Sequence, residues 1–100
     1  MKPVVVHSAA SAELDEAIGF YESRASGLGL DLQTTVEKAV EAIRRHPESW
    51  PRHKNTVFRK FFVERFPFTV FYLELADCIW IVAVAHCSRR PGYWHRRNED

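Results

Sequence analysis

Hydrophobic residues in this chain form one long uninterrupted run, several shorter runs and two segments of helical periodicity. The long run covers residues 79–85, seven consecutive non-polar positions. A run of that length is too short to cross a membrane, and it suits a strand that is buried on both faces. Shorter runs rich in β-branched and aromatic residues cover 4–6, 57–63 and 68–75. The pattern therefore predicts four strands, with residues 79–85 in the middle of the sheet.

The two helical segments lie between the first and the second predicted strand. Ser8 is placed to be the N-cap of the first helix, which ends at the glycine-containing turn 27–29. In this helix Glu13 is assigned to the polar positions, outside the apolar stripe. The second helix runs from about residue 30 to residue 45 and stops before Pro47. Two amphipathic helices joined by a short turn predict a helical hairpin packed on one face of the sheet.

The resulting order is β-α-α-β-β-β, which is an α+β architecture. The long helical crossover allows the first strand to lie parallel to a later one, and the last three strands form an antiparallel meander. We therefore expect a single domain over residues 1–100, with a four-stranded, mostly antiparallel sheet and a short basic C-terminal tail. In the polar loop at 47–55, Trp50 is expected to close one end of the core.

Charge is distributed unevenly between the two halves of the chain. Residues 1–50 contain five Lys/Arg and eight Asp/Glu, a net charge of −3, whereas residues 51–100 contain nine and five, a net charge of +4. The basic excess lies on the sheet and tail, which favours an anionic or acidic partner on that side.

The cysteines and the N-terminal residues predict a cytoplasmic protein. Cys78 and Cys87 flank the same strand, so their separation is roughly 30 Å. A disulfide needs Cα atoms within about 7 Å of each other, and two free thiols fit a reducing compartment. The first residues form neither a secretory signal nor a membrane anchor. The histidines and cysteines lack the spacing of metal ligands, so neither a metal site nor a cofactor is expected.

The order of elements and several motifs resemble the RelE/ParE superfamily of bacterial type II toxins. The most specific motif is His-x-x-Arg-x-Pro-x-Tyr-Trp at residues 86–94. Within the superfamily the chain is most similar to the ParE-like, plasmid stabilisation branch. The stretches that carry the resemblance are 12–17, 20–22, 27–29, 36–43, 65–68 with Val70 and Tyr72, 81–86 and 89–94 with Arg97.

This resemblance implies a toxin that arrests growth and is neutralised by a cognate antitoxin. A partner segment that folds on binding can cover a large apolar and basic surface. ParE-like members inhibit DNA gyrase without hydrolysing anything themselves. RelE-like members instead cut messenger RNA on the ribosome without a metal ion.

The residues of the nuclease branch are matched only in part. Lys60 and Tyr93 fall where nucleases carry a lysine and a C-terminal tyrosine. However, Thr69 stands where they carry an arginine, and His86 with Cys87 stands where they carry another cation. Threonine cannot replace a guanidinium as a bidentate phosphate ligand. The ParE-like activity is therefore favoured, and in the nuclease alternative the catalytic residues are His86, Arg89, Tyr93 and Lys60.

The candidate residues for binding the target or the antitoxin lie on the sheet half and the tail. Simpler structural roles are also open for several of them: His86 bonded to a neighbouring backbone group, Tyr93 and Trp94 anchoring the tail, and Arg59 paired with an acid across the sheet. A third hypothesis is an interaction module of the same fold that has lost toxicity. The binding candidates are Arg59, Arg65, His86, Arg89, Arg90, Tyr93, Trp94 and Arg97.

Overall fold

A computed structural model describes residues 1–97 of the chain. The expected single domain extends to residue 100, and its last three residues lie outside this range. The predicted order β-α-α-β-β-β and the α+β class are confirmed. The elements are β1 (Val4–Val6), α1 (Ser8–Arg24), α2 (Leu28–Arg45), β2 (Arg59–Phe62), β3 (Phe68–Glu74) and β4 (Ile79–His86).

The four strands form one mixed sheet in the order β1-β4-β3-β2. β1 runs parallel to β4, while β3 is antiparallel to both β4 and β2. β4 is thus flanked on both sides, and residues 79–85 are all buried. The prediction that this apolar run is a central strand is confirmed.

A β-bulge interrupts the pairing of β3 and β4. Phe71 pairs with Ala83 and Tyr72 pairs with Ile81, so Val82 is an additional residue on β4. An extra residue changes which backbone groups of a strand point to each side. The bulge lies where β1 ends, because the last pair between β1 and β4 is Val6 with Ile81. From Val82 onward, this edge of β4 has no neighbouring strand among the described residues.

The helical hairpin covers one face of the sheet. The apolar stripe of α2 is buried against inward side chains of β3 and β4, and each fully buried aliphatic side chain contributes about 1.5–3 kcal/mol. Trp50 packs edge-to-face on Phe61 at 4.6 Å between ring centroids, at the margin of this core, as expected. The central members of the core are Leu32, Val36, Ile43, Val70, Tyr72, Ile79 and Ile81.

The C-terminal tail, residues 87–97, covers part of the opposite face. Trp94 is only 1% exposed and belongs to a second apolar cluster with Trp80, Val82 and Ala83. The sheet is therefore enclosed by helices on one side and by its own tail on the other.

The helix starts differ from the prediction. The N-cap of α1 is His7, whose Nδ1 accepts a hydrogen bond from the Ala9 N–H at 2.9 Å; the prediction of Ser8 was wrong, and Ser8 is already helical. α2 begins at Leu28, about two residues earlier than expected, because the Glu22 carboxylate accepts hydrogen bonds from the N–H groups of Gly27 and Gly29 at 2.9 Å each.

Gly29 permits the close contact of the two helices, since a Cβ at this position would lie 2.6 Å from the Ile18 carbonyl oxygen.

The second strand is shorter than the predicted 57–63. Its first two residues belong instead to a turn, in which the His53 N–H donates to the Phe58 carbonyl at 2.8 Å and the Thr56 N–H donates to the His53 carbonyl at 3.1 Å. Threonine favours such turns because its hydroxyl bonds to nearby backbone groups, and here Thr56 Oγ1 donates to the His53 carbonyl at 2.7 Å.

Candidate functional site

Two charged side chains cover the open edge of β4. The Val84 N–H donates to Glu13 Oε1 at 3.1 Å, and Arg97 Nη1 donates to the Val82 carbonyl at 2.8 Å. An exposed strand edge with unpaired N–H and C=O groups is a site of unwanted pairing. Here a carboxylate from α1 and a guanidinium from the tail bind the backbone groups of β4 that no described strand pairs with beyond the end of β1.

Glu13 and Arg97 also bind each other. Arg97 Nη2 lies 2.8 Å from Glu13 Oε2 and Nη1 lies 3.0 Å from Oε1, which is a bidentate ion pair. Their side chains are 15% and 17% exposed. The Tyr93 hydroxyl donates to Glu13 Oε2, so the carboxylate accepts four hydrogen bonds in all, two from Arg97 and one each from Val84 and Tyr93. We call Glu13, Tyr93 and Arg97 the tail latch, because together they fix the tail to α1.

The tail latch shifts the pKa values of its members. Burial raises the pKa of the Glu13 carboxyl, but hydrogen bonds from Arg97, Tyr93 and Val84 together outweigh this effect and hold the pKa below its ordinary value. Burial and the bond to Glu13 raise the pKa of Tyr93 to about 12. The hydrogen bond to Glu13 raises the pKa of Arg97. Glu13 and Arg97 are therefore charged and Tyr93 neutral at physiological pH.

The assignment of Glu13 to the polar face of its helix was wrong. Ala10 and Ala17 of α1 are buried, and Glu13 stands three residues after the first and four before the second. This spacing puts all three on one helix face. The sequence signal for a buried Glu13 was its position on the same helix face as the small residues Ala10 and Ala17. Its partner, Arg97, lies 84 residues away, and no sequence pattern links the two.

On the other face of the sheet, Trp94 fastens the tail through ring contacts. Its ring centroid lies 4.5 Å from that of Phe71 and 4.9 Å from that of Phe58. His53 completes this cluster at 5.3 Å from Trp94 and is itself only 7% exposed. Burial, reinforced by the nearby His95, lowers the pKa of His53. The predicted anchoring roles of Tyr93 and Trp94 are confirmed.

The remaining tail candidates are accessible. Arg89 and Arg90 are exposed, and the Arg89 guanidinium stacks on the Tyr93 ring at 3.9 Å from its centroid. His86 is half-buried; its Nδ1 accepts from the Ser88 N–H at 3.0 Å, and its ring meets the Phe68 ring edge-on at 5.2 Å. The prediction of a backbone hydrogen bond for His86 is confirmed.

Arg59 and Arg65 lie away from the tail. Arg59 Nη1 donates to the Trp50 carbonyl at 2.7 Å, so the predicted pairing with an acid across the sheet was wrong; the carbonyl of the neighbouring loop supplies the partner. Arg65 lies 3.7 Å from Asp31 of α2 in an exposed ion pair. Lys60 lies on β2 with its ammonium 5.8 Å from the centroid of the Phe62 ring.

Two concave surfaces border the tail. The larger, which we call the α1–tail groove, has a volume of about 360 Å³. His86, Arg89 and Tyr93 line it from the strand and tail, and Glu16 and Phe20 line it from α1. The smaller, which we call the tail cleft, has a volume of about 200 Å³ and lies between β2 and the tail. Four of the predicted residues line neither surface: Arg59, Lys60, Arg65 and Arg97.

Among residues 1–97, no three His, Cys, Asp or Glu side chains are grouped as metal ligands. No helix in the same range is both long enough and apolar enough to cross a membrane. Neither Cys78 nor Cys87 forms a disulfide.

Comparison with known proteins places this geometry in a family. Residues 4–91 match the family model described as "ParE toxin of type II toxin-antitoxin system, parDE". A chain of the solved structure titled "Chromosomal ParDE TA system from P. aeruginosa" has the same fold, with a TM-score of 0.63 and 19% sequence identity over 86% of this chain and 96% of that one. No match was found among curated proteins. Since the family match covers nearly the whole chain, the protein belongs to the ParE toxin family of type II toxin–antitoxin systems.

Proposed function

We propose that this toxin arrests growth by inhibiting DNA gyrase and that a cognate antitoxin neutralises it in the cytoplasm. The tail would be the surface that acts on the target, and the toxin itself would hydrolyse nothing. Membership of the ParE family carries this proposal. Two cysteines that form no disulfide, Cys78 and Cys87, agree with a reducing compartment.

The arrangement of the nuclease candidates supports a non-hydrolytic activity. The Tyr93 hydroxyl donates a hydrogen bond to Glu13, and its pKa of about 12 makes it a poor proton donor to a leaving group. Thr69 is buried, with Oγ1 3.9 Å from Cys87 Sγ, and offers no cation. Lys60 lines neither concave surface that His86 lines.

The α1–tail groove is our candidate surface for the antitoxin. Phe20 is a large apolar side chain that stays exposed in this groove, with the Arg24 guanidinium 4.6 Å from its ring centroid. An exposed apolar side chain beside a groove is typical of a protein-binding surface. A partner segment lying there would contact α1 and Arg89 at once, and so would cover the tail.

The RelE-like activity is the second candidate, because His86 and Arg89 line the same groove. A histidine can transfer protons near neutral pH, and an arginine beside it can stabilise charge on a phosphate. In this alternative the toxin acts on messenger RNA in the ribosome.

Growth and activity assays separate these functions. Expression of the chain alone should arrest growth, and co-expression of the adjacent antitoxin gene should restore it. Normal growth with abundant, folded protein would favour the non-toxic interaction module. Purified toxin should block supercoiling by gyrase and leave messenger RNA intact on translating ribosomes. Discrete cuts in the RNA that vanish in His86→Ala would support the nuclease instead.

A further inference from the structure

The tail cleft is a basic surface with an apolar floor, and no acidic residue among positions 1–97 lines it. Phe62 of β2 forms one wall, and Arg89 and Arg90 belong to the wall formed by the tail. The floor includes Phe71 and the buried Ala85. Among the described residues that line this cleft there is no Asp or Glu, whereas the α1–tail groove contains both Glu13 and Glu16.

The cations at the tail cleft have no acidic partner within the described part of the chain. The ion pairs of residues 1–97 include Arg44, Arg45, Arg65 and Arg97, but neither Arg89 nor Arg90. Arg89 lies on the ring of Tyr93, which holds its guanidinium in place without neutralising it. Two adjacent, exposed arginines are thus available to bind an anion bidentately.

Phe62 gives the tail cleft an exposed aromatic wall. Its side chain is 63% exposed at the sheet edge, although burial of a large aromatic side chain is favourable. Lys60 does not line the cleft, but its ammonium lies 5.8 Å from the centroid of the Phe62 ring and adds positive charge beside it. An aromatic face next to several cations is the combination with which proteins bind a single-stranded nucleic acid.

We propose that the tail cleft binds one nucleotide unit of a single-stranded nucleic acid. The base stacks on Phe62 over the apolar floor, and Arg89 and Arg90 bind the adjoining phosphates. The cleft favours a single strand over a duplex because a base must leave its stack to contact Phe62. This inference goes beyond gyrase inhibition and does not depend on it, since binding is measured with toxin and oligonucleotide alone.

An acidic protein segment is the competing ligand, because it too would be attracted to the arginines. The aromatic wall distinguishes the two. A nucleic acid presents a flat ring with every negative charge, whereas a run of Glu or Asp presents none. Dependence of binding on the ring of Phe62 is therefore the decisive property.

The experiment is fluorescence anisotropy with a labelled 20-nucleotide oligo-dT at several salt concentrations. We expect wild-type binding, with an affinity that falls as salt rises. Phe62→Ala should weaken it by about 5- to 100-fold, and Phe62→Trp should retain it. Arg90→Ala should reduce the slope of log affinity against log salt by about 0.7. Two variants on the hairpin, Leu30→Ala and Arg45→Ala, match the exposure of Phe62 and the charge of Arg90 and should change affinity less than about twofold.

Three results would overturn the proposal. One is the absence of oligo-dT binding by folded wild-type protein at 50 mM salt, where phosphate contacts are strong. Another is an equal loss of affinity in Leu30→Ala or Arg45→Ala, since binding would then reflect overall charge and surface. The third is tighter binding of a labelled oligo-glutamate peptide with the same loss in Phe62→Ala, which would assign the cleft to an acidic protein segment. Thermal melting of each variant establishes that it is folded.

Discussion

Glu13 and Arg97 form an ion pair across the open edge of the central strand. The two residues are 84 positions apart, and their closest atoms are 2.8 Å apart. Each also binds a backbone group of β4, so the pair joins α1, the sheet and the tail in one network. The β-bulge at Val82 lies where the pairing of β4 with β1 stops and its hydrogen bonds to Glu13 and Arg97 start. The tail of this toxin is thus held in place by side chains from both ends of the chain.

Replacing Glu13 by alanine should strongly destabilise the fold. The substitution leaves Arg97 mostly buried without its counter-ion and leaves the Val84 N–H without its acceptor. Breaking a buried pair in this way costs about 3–5 kcal/mol. Urea denaturation followed by circular dichroism measures the loss. Glu16→Ala, one turn along on the exposed side of the same helix, should change the free energy of unfolding by less than about 0.5 kcal/mol. An equal loss in both variants would show that the tail latch has no special role.

Replacing Trp94 by alanine should detach the tail from the sheet. Trp94 is 1% exposed, and removal of a buried tryptophan side chain destabilises a protein by about 3–5 kcal/mol. Trp94→Phe keeps an aromatic ring against Phe71 and should lose less. Hydrogen exchange of the tail amides, measured with urea denaturation, tests this. Fast exchange of those amides already in the wild type would contradict the packing described above.

The stability of the fold should fall in two steps as the solution is acidified. The pKa of His53 is lowered in the folded state, so the unfolded chain takes up a proton first, and stability falls as pH drops below about 6.5. The neighbouring His95, Lys54 and Lys60 are all basic and cannot compensate the added charge. The pKa of Glu13 is lowered as well, so its contribution is present above about pH 4.5 and is lost as pH falls through its folded-state pKa.

Variants separate the two steps. His53→Phe should flatten the change in unfolding free energy just below pH 6.5, and Glu13→Gln should flatten the change below pH 4.5. The measurement is urea denaturation at a series of pH values. A His53→Phe protein with the same pH profile as wild type would mean that His53 is not the group that titrates.

At alkaline pH the fold should weaken through Tyr93. Its pKa is raised from 10.0 to about 12, so the unfolded chain loses the phenolic proton first, and stability falls as pH rises between these values. Tyr72, with a pKa also of about 12, should behave alike. Ultraviolet absorbance of the phenolate should report two late-titrating tyrosines in the folded protein. The Tyr93→Phe variant should show only one late-titrating tyrosine. If this variant still shows two, the assignment of the raised pKa to Tyr93 is contradicted.

The sequence predicted the sheet, the central position of β4 and the helical hairpin because these follow from hydrophobic periodicity. It placed Glu13 on the wrong side of its helix because periodicity treats every carboxylate as outward, while the partner of Glu13 comes from the far end of the chain. Ser8 was preferred as a cap because serine is the commoner N-cap, yet the imidazole of His7 reaches the same N–H. For Arg59 the sequence leaves an acidic partner across the sheet open, because it carries no information on which loop carbonyl folds beside a strand; the partner is the Trp50 carbonyl.

Gyrase supercoiling in the presence of purified toxin is the most direct test of the function. We predict that wild-type protein blocks supercoiling of relaxed plasmid and that a protein ending at Ala85, which lacks the tail, does not; circular dichroism of both proteins establishes whether each is folded. In parallel, messenger RNA on translating ribosomes should remain intact. Full supercoiling with the folded wild-type protein, together with discrete cuts in the messenger RNA, would contradict the proposal that the tail acts on gyrase.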